Sequence, residues 1–73
     1  MPPLSNAVVA EVAGKFLQSK IPDPQFHARA QTRVRPYGCR YTYEEAEQLD
    51  SLGGVYIVVV NRQREVVNFF GSD

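Results

Sequence analysis

The spacing of apolar positions changes three times along the chain, and each change predicts a new element. Val9, Val12, Ala13, Phe16 and Leu17 recur at i, i+3, i+4, i+7 and i+8, which stacks them on one stripe of a helix while Glu11, Lys15 and Gln18 face water. Ser5 stands where an N-cap is needed, and Leu4 with Val9 can close a hydrophobic staple over the first turn. Gly14 weakens this helix by about 1 kcal/mol relative to alanine, and close approach of its backbone to a sheet is the expected reason. Pro22 and Pro24 stop the pattern, so that IPDP reads as a rigid loop.

From Phe26 to Arg35 the period is two. Phe26, Ala28, Ala30, Thr32 and Val34 fall on one side, and His27, Arg29, Gln31, Arg33 and Arg35 on the other, as on a half-buried strand. RPYG at 35 to 38 reads as a type I turn, after which Cys39 to Tyr41 can run back as a short second strand. Helical spacing then returns: Thr42 and Glu45 make a capping box, Tyr43, Ala46, Leu49 and Leu52 form a stripe beside Glu44, Glu45, Glu47 and Asp50, and Gly53 and Gly54 end the helix.

The last change is to two apolar runs, VYIVVV at 55 to 60 and EVVNFF at 65 to 70. Joined through Asn61 to Arg64, they predict a β-hairpin. A register symmetric about that loop pairs Tyr56 with Phe69 and Val58 with Val67, and puts Val55, Ile57, Val59, Val66 and Phe70 together on the opposite side. The whole reads as one α+β domain over residues 1 to 73, a three- to four-stranded mixed or antiparallel sheet with two helices on one face, in the order α-β-(β)-α-β-β. Two helices cover one face of such a sheet and not the other. The bare apolar face is therefore expected to meet a second copy or a different protein.

Composition narrows the classes. A 73-residue chain with one cysteine and one histidine has neither a disulfide nor a zinc set to staple it, so packing or association must supply its stability. No cofactor or metal is expected. No run approaches the roughly 18 apolar residues of a membrane span, and the start lacks the pattern of a secretory signal, so the expected compartment is the cytoplasm. The formal charge is zero but segregated: residues 15 to 40 hold six cationic side chains against one carboxylate, and residues 41 to 73 hold six acids against Arg62 and Arg64.

Three chemistries are then weighed. The row His27, Arg29, Gln31, Arg33 and Arg35 can recognise carboxylates or phosphates through guanidinium forks, or it is a solvated face paired with Glu44, Glu45, Glu47 or Glu65. Nucleic-acid binding through this row is the second expectation; Tyr37, Tyr41, Tyr56 and Phe70 could stack bases, though such aromatics more often pack cores, and RNA-recognition and KH motifs are missing. Cys39 lies beside Arg40, and a thiol nucleophile needs a base, for which His27 is the sole candidate. That requirement weighs against an enzyme. The leading expectation is a non-enzymatic adaptor, regulator or inhibitor that docks or dimerises through Val55, Ile57, Val59, Val66 and Phe70, with the arginines giving orientation.

Overall fold

The computed structural model describes residues 3 to 48 and 55 to 71. A long helix, α1 (Asn6–Lys20), and a short one, α2 (Pro24–Arg29), precede four strands: β1 (Gln31–Tyr37), β2 (Arg40–Ala46), β3 (Tyr56–Val60) and β4 (Val66–Gly71). The strands pair antiparallel in the order β1-β2-β3-β4. The α+β class, the four-stranded sheet and the two helices agree with the sequence reading, while the positions of the second helix and of two strands do not.

α1 forms as its pattern requires. The Ser5 hydroxyl accepts the N–H of Val8 at 3.2 Å, and Val9, Ala13 and Leu17 are fully buried against Tyr41, Tyr43, Val58 and Val60 of the sheet. Lys15 and Glu11 stay in water as a loose pair at 3.5 Å. The reason expected for Gly14 fails: a methyl group built there would meet nothing within 4 Å. Gly14→Ala is thus expected to stabilise the protein by up to about 1 kcal/mol, read as a higher urea midpoint at unchanged slope.

IPDP does more than end α1. Asp23 caps a new helix, its carboxylate accepting the N–H groups of Gln25 and Phe26, with Pro24 in the first turn, where a missing N–H costs nothing. Residues 24 to 29 are consequently helical, and the strand expected from Phe26 begins only at Gln31. Alternation from Phe26 to Ala30 was coincidental, because the adjacent Phe26 and His27 both pack inward, a geometry open to a helix and closed to a strand. Phe26 meets Tyr56 edge-on at 5.6 Å between ring centroids, and His27 reaches Glu45.

The second correction is β2. Residues 40 to 46 form a strand in place of the helix expected from Thr42, and Tyr41, Tyr43 and Glu45 alternate inward as a strand requires. Leu49 to Gly54, the rest of that expected helix, lie outside the described residues. The turn before β2 is the two-residue Gly38-Cys39 hairpin, with Gly38 at φ +59°, a conformation that glycine adopts freely in primed turns. Pro36 is carried within β1, an edge strand that tolerates a missing donor.

A bulge shifts the expected hairpin register. Val60 pairs with Val66 but Val59 pairs with Asn68, so Val67 is the extra residue and Val66 turns toward α1. Tyr56 lies opposite Gly71 and Val58 opposite Phe69. A side chain at Gly71 would press on the Tyr56 ring at 3.1 Å. The aromatic rings continue the core, Phe16 meeting Phe69 edge-on at 5.3 Å and Phe69 stacking with Tyr56 at 6.3 Å.

Candidate functional site

Alternation sorts the sheet into two faces. Val34, Tyr41, Tyr43, Glu45, Tyr56, Val58 and Val60 face the helices; Arg33, Arg35, Thr42, Glu44, Ile57, Val59, Asn68 and Phe70 face away. Both helices lie on the first face, α1 through its buried stripe and α2 through Phe26 and His27. Among the described residues no helix or strand covers the second.

The basic row does not exist as a row. His27 and Arg29 are on α2, and only Gln31, Arg33 and Arg35 share β1. Arg33 forks onto Glu44, with Nε to Oε1 at 3.3 Å and Nη2 to Oε2 at 2.9 Å, and Arg35 approaches the same carboxylate at 3.7 Å. Arg33 hydrogen bonding, opposed by burial and reinforced by the charges of Arg33 and Arg35, holds the Glu44 carboxyl below its ordinary 4.5. Arg29 pairs with Glu47 at 2.9 Å, where both side chains are exposed and the bond is worth little.

His27 ties α2 to the end of α1 and to the sheet. Its Nε2 donates to the Ile21 carbonyl at 2.7 Å and its Nδ1 meets Glu45, whose second oxygen accepts the Tyr43 hydroxyl at 3.1 Å. A carbonyl can only accept, so Nε2 carries a proton, and a carboxylate at Nδ1 favours the second. Burial pulls the imidazole pKa down as the largest single influence, but the Ile21 and Glu45 hydrogen bonds with the charges of Glu45 and Asp23 outweigh it and hold the value above 6.5. Tyr43 is pushed up to about 12, by burial first and then by the Glu45 charge and hydrogen bond. The sequence places Glu45 on a solvated helix; Tyr41-Thr42-Tyr43-Glu44 does alternate, and the phase of that alternation, carried one residue further, is the signal that puts position 45 inward.

With both ring nitrogens engaged, His27 cannot serve Cys39 as a base. The two are also far apart, since the Thr32–Glu45 and Tyr37–Arg40 pairs lie five steps apart along β1, about 17 Å at strand rise. Cys39 is exposed in its turn. No group of three or more His, Cys, Asp or Glu among the described residues is placed to hold a metal ion, and none of the described helices is long and apolar enough to cross a membrane.

The expected apolar face is smaller than five residues. Val66 packs on the core side, Val59 is only 6 % exposed and Ile57 is half-buried, while Val55 precedes β3. Exposed apolar area collects instead along β4, at Phe70, 52 % exposed, and the bulge residue Val67, 40 % exposed. β4 is an edge strand of sequence VVNFFG. It has no charge or proline to deter pairing, and the Asn68 carboxamide accepts the Phe69 N–H at 2.9 Å.

The fold and site define a small α+β protein with one sheet face that no described helix or strand covers and with an uncharged edge strand. Comparison with protein-family models, with curated proteins and with solved structures finds no match.

Proposed function

We propose that the protein is a non-enzymatic interaction module of the cytoplasm, an adaptor, regulator or inhibitor that associates through the uncovered sheet face and the β4 edge. One observation carries this reading: Phe70 stands half-exposed on a face that no described helix covers, on an edge strand with no charged residue. Large aromatics at the centre of a desolvated patch supply much of the energy of protein interfaces. Arg35, more than half exposed beside Glu44, would form a polar rim at the other side of that face. The exposed lone thiol of Cys39 suits a reducing compartment.

Self-association is the form to test first, by light scattering on a size-exclusion column over a range of protein concentrations. The wild-type chain is expected to run as a dimer that Phe70→Asp dissociates by at least tenfold in Kd, because a carboxylate would be buried without a partner. A chain monomeric at every concentration, with Phe70→Asp indistinguishable from it, would sink self-pairing through this face.

A further inference from the structure

α2 has little of its own to hold it in place. Its six residues are too few for an isolated helix, none of them is fully buried, and none stands in the hydrophobic cluster that joins α1 to the sheet. Phe26 meets Tyr56 and His27 meets Glu45, while the pair of Arg29 with Glu47 lies in water. Loss of these contacts would take no side chain out of that cluster, so α2 can open locally while the rest stays folded.

The His27 ring, with 14 % of its side chain exposed, meets an acceptor at each nitrogen: the Ile21 carbonyl at Nε2, 2.7 Å away, and the Glu45 carboxyl at Nδ1. A neutral imidazole has one N–H and one lone pair. It can satisfy one of these acceptors and must turn its lone pair on the other, so the closed geometry needs one more proton, shared between Nδ1 and Glu45. The surroundings favour that proton. Glu45 faces the ring from β2 with Tyr43 beyond it, the Thr32 hydroxyl of β1 bonds the same phenol, and Asp23 faces the ring from the α2 cap. Tyr56 of β3 is reached through Phe26. The cations of the two helices are engaged elsewhere, Lys20 over the Phe16 ring and Arg29 with Glu47. A cleft of about 600 Å³ walled by Gln18, Pro22, Asp23, Pro24, His27 and Ala28 gives water a route to the ring.

We infer that His27 is a pH-sensitive latch: loss of the proton it shares with Glu45 releases α2 from the sheet and leaves α1 and the four strands in place. Release lets water take the Nδ1 lone pair and the carboxylate, and it uncovers Glu45 and one side of the Tyr56 ring. The direction follows from an imidazole held above its ordinary 6.5: α2 is fastened below the folded pKa and freed as pH rises through it. Ile57 and Phe70, on the other sheet face, take no part.

The test is NMR relaxation at the backbone Cα positions of the full chain, whose C–H bonds do not exchange with water, from about pH 5.5 to 9, with the His27 ring protons followed in the same samples. Order parameters of residues 24 to 29 are expected to fall from about 0.85 to below about 0.6 as the ring titrates, with those of α1 and the strands unchanged. Glu45→Gln is the control. Its carboxamide can donate to Nδ1 of a neutral ring and still accept from Tyr43, so α2 should stay ordered across the whole range. A rigid α2 beside a neutral ring, a ring still charged at the alkaline end, loosening of α1 or the strands together with α2, or release in Glu45→Gln at the wild-type pH would each overturn the inference.

Discussion

Replacing Glu45 with alanine is expected to destabilise the protein by about 3 to 5 kcal/mol, the usual cost of removing one partner from a buried pair. The carboxylate is 4 % exposed and serves two groups at once, the His27 imidazole and the Tyr43 hydroxyl. Its loss leaves the His27 imidazole and the Tyr43 phenol without their acceptor, and removes one of the ties between α2 and the sheet. A domain of this size seldom has more than about 3 to 5 kcal/mol in hand, so Glu45→Ala should be largely unfolded by circular dichroism at 25 °C. Glu45→Gln, which keeps the shape and removes the charge, should fold but change the pH profile. His27 has a folded pKa above 6.5, so its contribution is complete below that value and is lost as pH rises through the folded pKa. Glu44, held below 4.5, acts in the opposite sense: its contribution is present above that value and is lost as pH falls through the folded pKa. Urea midpoints measured across this range should therefore peak between the two limbs, and Glu45→Gln should flatten the alkaline limb alone. An unchanged alkaline limb would show that Glu45 does not raise the His27 pKa.

Leu17→Ala should cost about 2 to 5 kcal/mol. Leu17 is fully buried and packs in the cluster that joins α1 to β2 and β3, so the vacated volume lies between rigid layers that cannot collapse into it. At roughly 4 to 8 °C per kcal/mol for a domain of this length, the melting temperature should fall by about 10 °C or more. Val67→Ala, at the exposed bulge, removes apolar atoms from water and not from the core, and should move it by a few degrees at most. Equal shifts for the two variants would contradict the placement of the core.

α1 was legible in full because everything that makes it a helix is local: the Ser5 cap, the staple of Leu4 and Val9, and a stripe whose members lie three or four residues apart. The two apolar runs of β3 and β4 were legible for the same reason. Their register was not, since one bulge residue, Val67, moved Val66 from the open face to the core, reduced the expected interface to Phe70 and part of Ile57, and left Val67 itself exposed. α2 is hidden although Asp23-Pro24 is a local start signal, because the residues after it alternate as a strand does. The basic row dissolved once His27 turned inward and Glu44 drew both Arg33 and Arg35.

The amino-acid sequence by itself determined the α+β class, the long helix with its buried stripe, and the hairpin strands, because local spacing and capping decide each of these. Tertiary structure alone decided that residues 40 to 46 extend. Thr42 and Glu45 suit a helix cap as well as a strand, and what settles the matter is long-range: pairing with β1 and β3, burial of Tyr41 and Tyr43 against α1, and the His27 imidazole 18 residues away, which with the Tyr43 hydroxyl meets the buried Glu45 carboxylate.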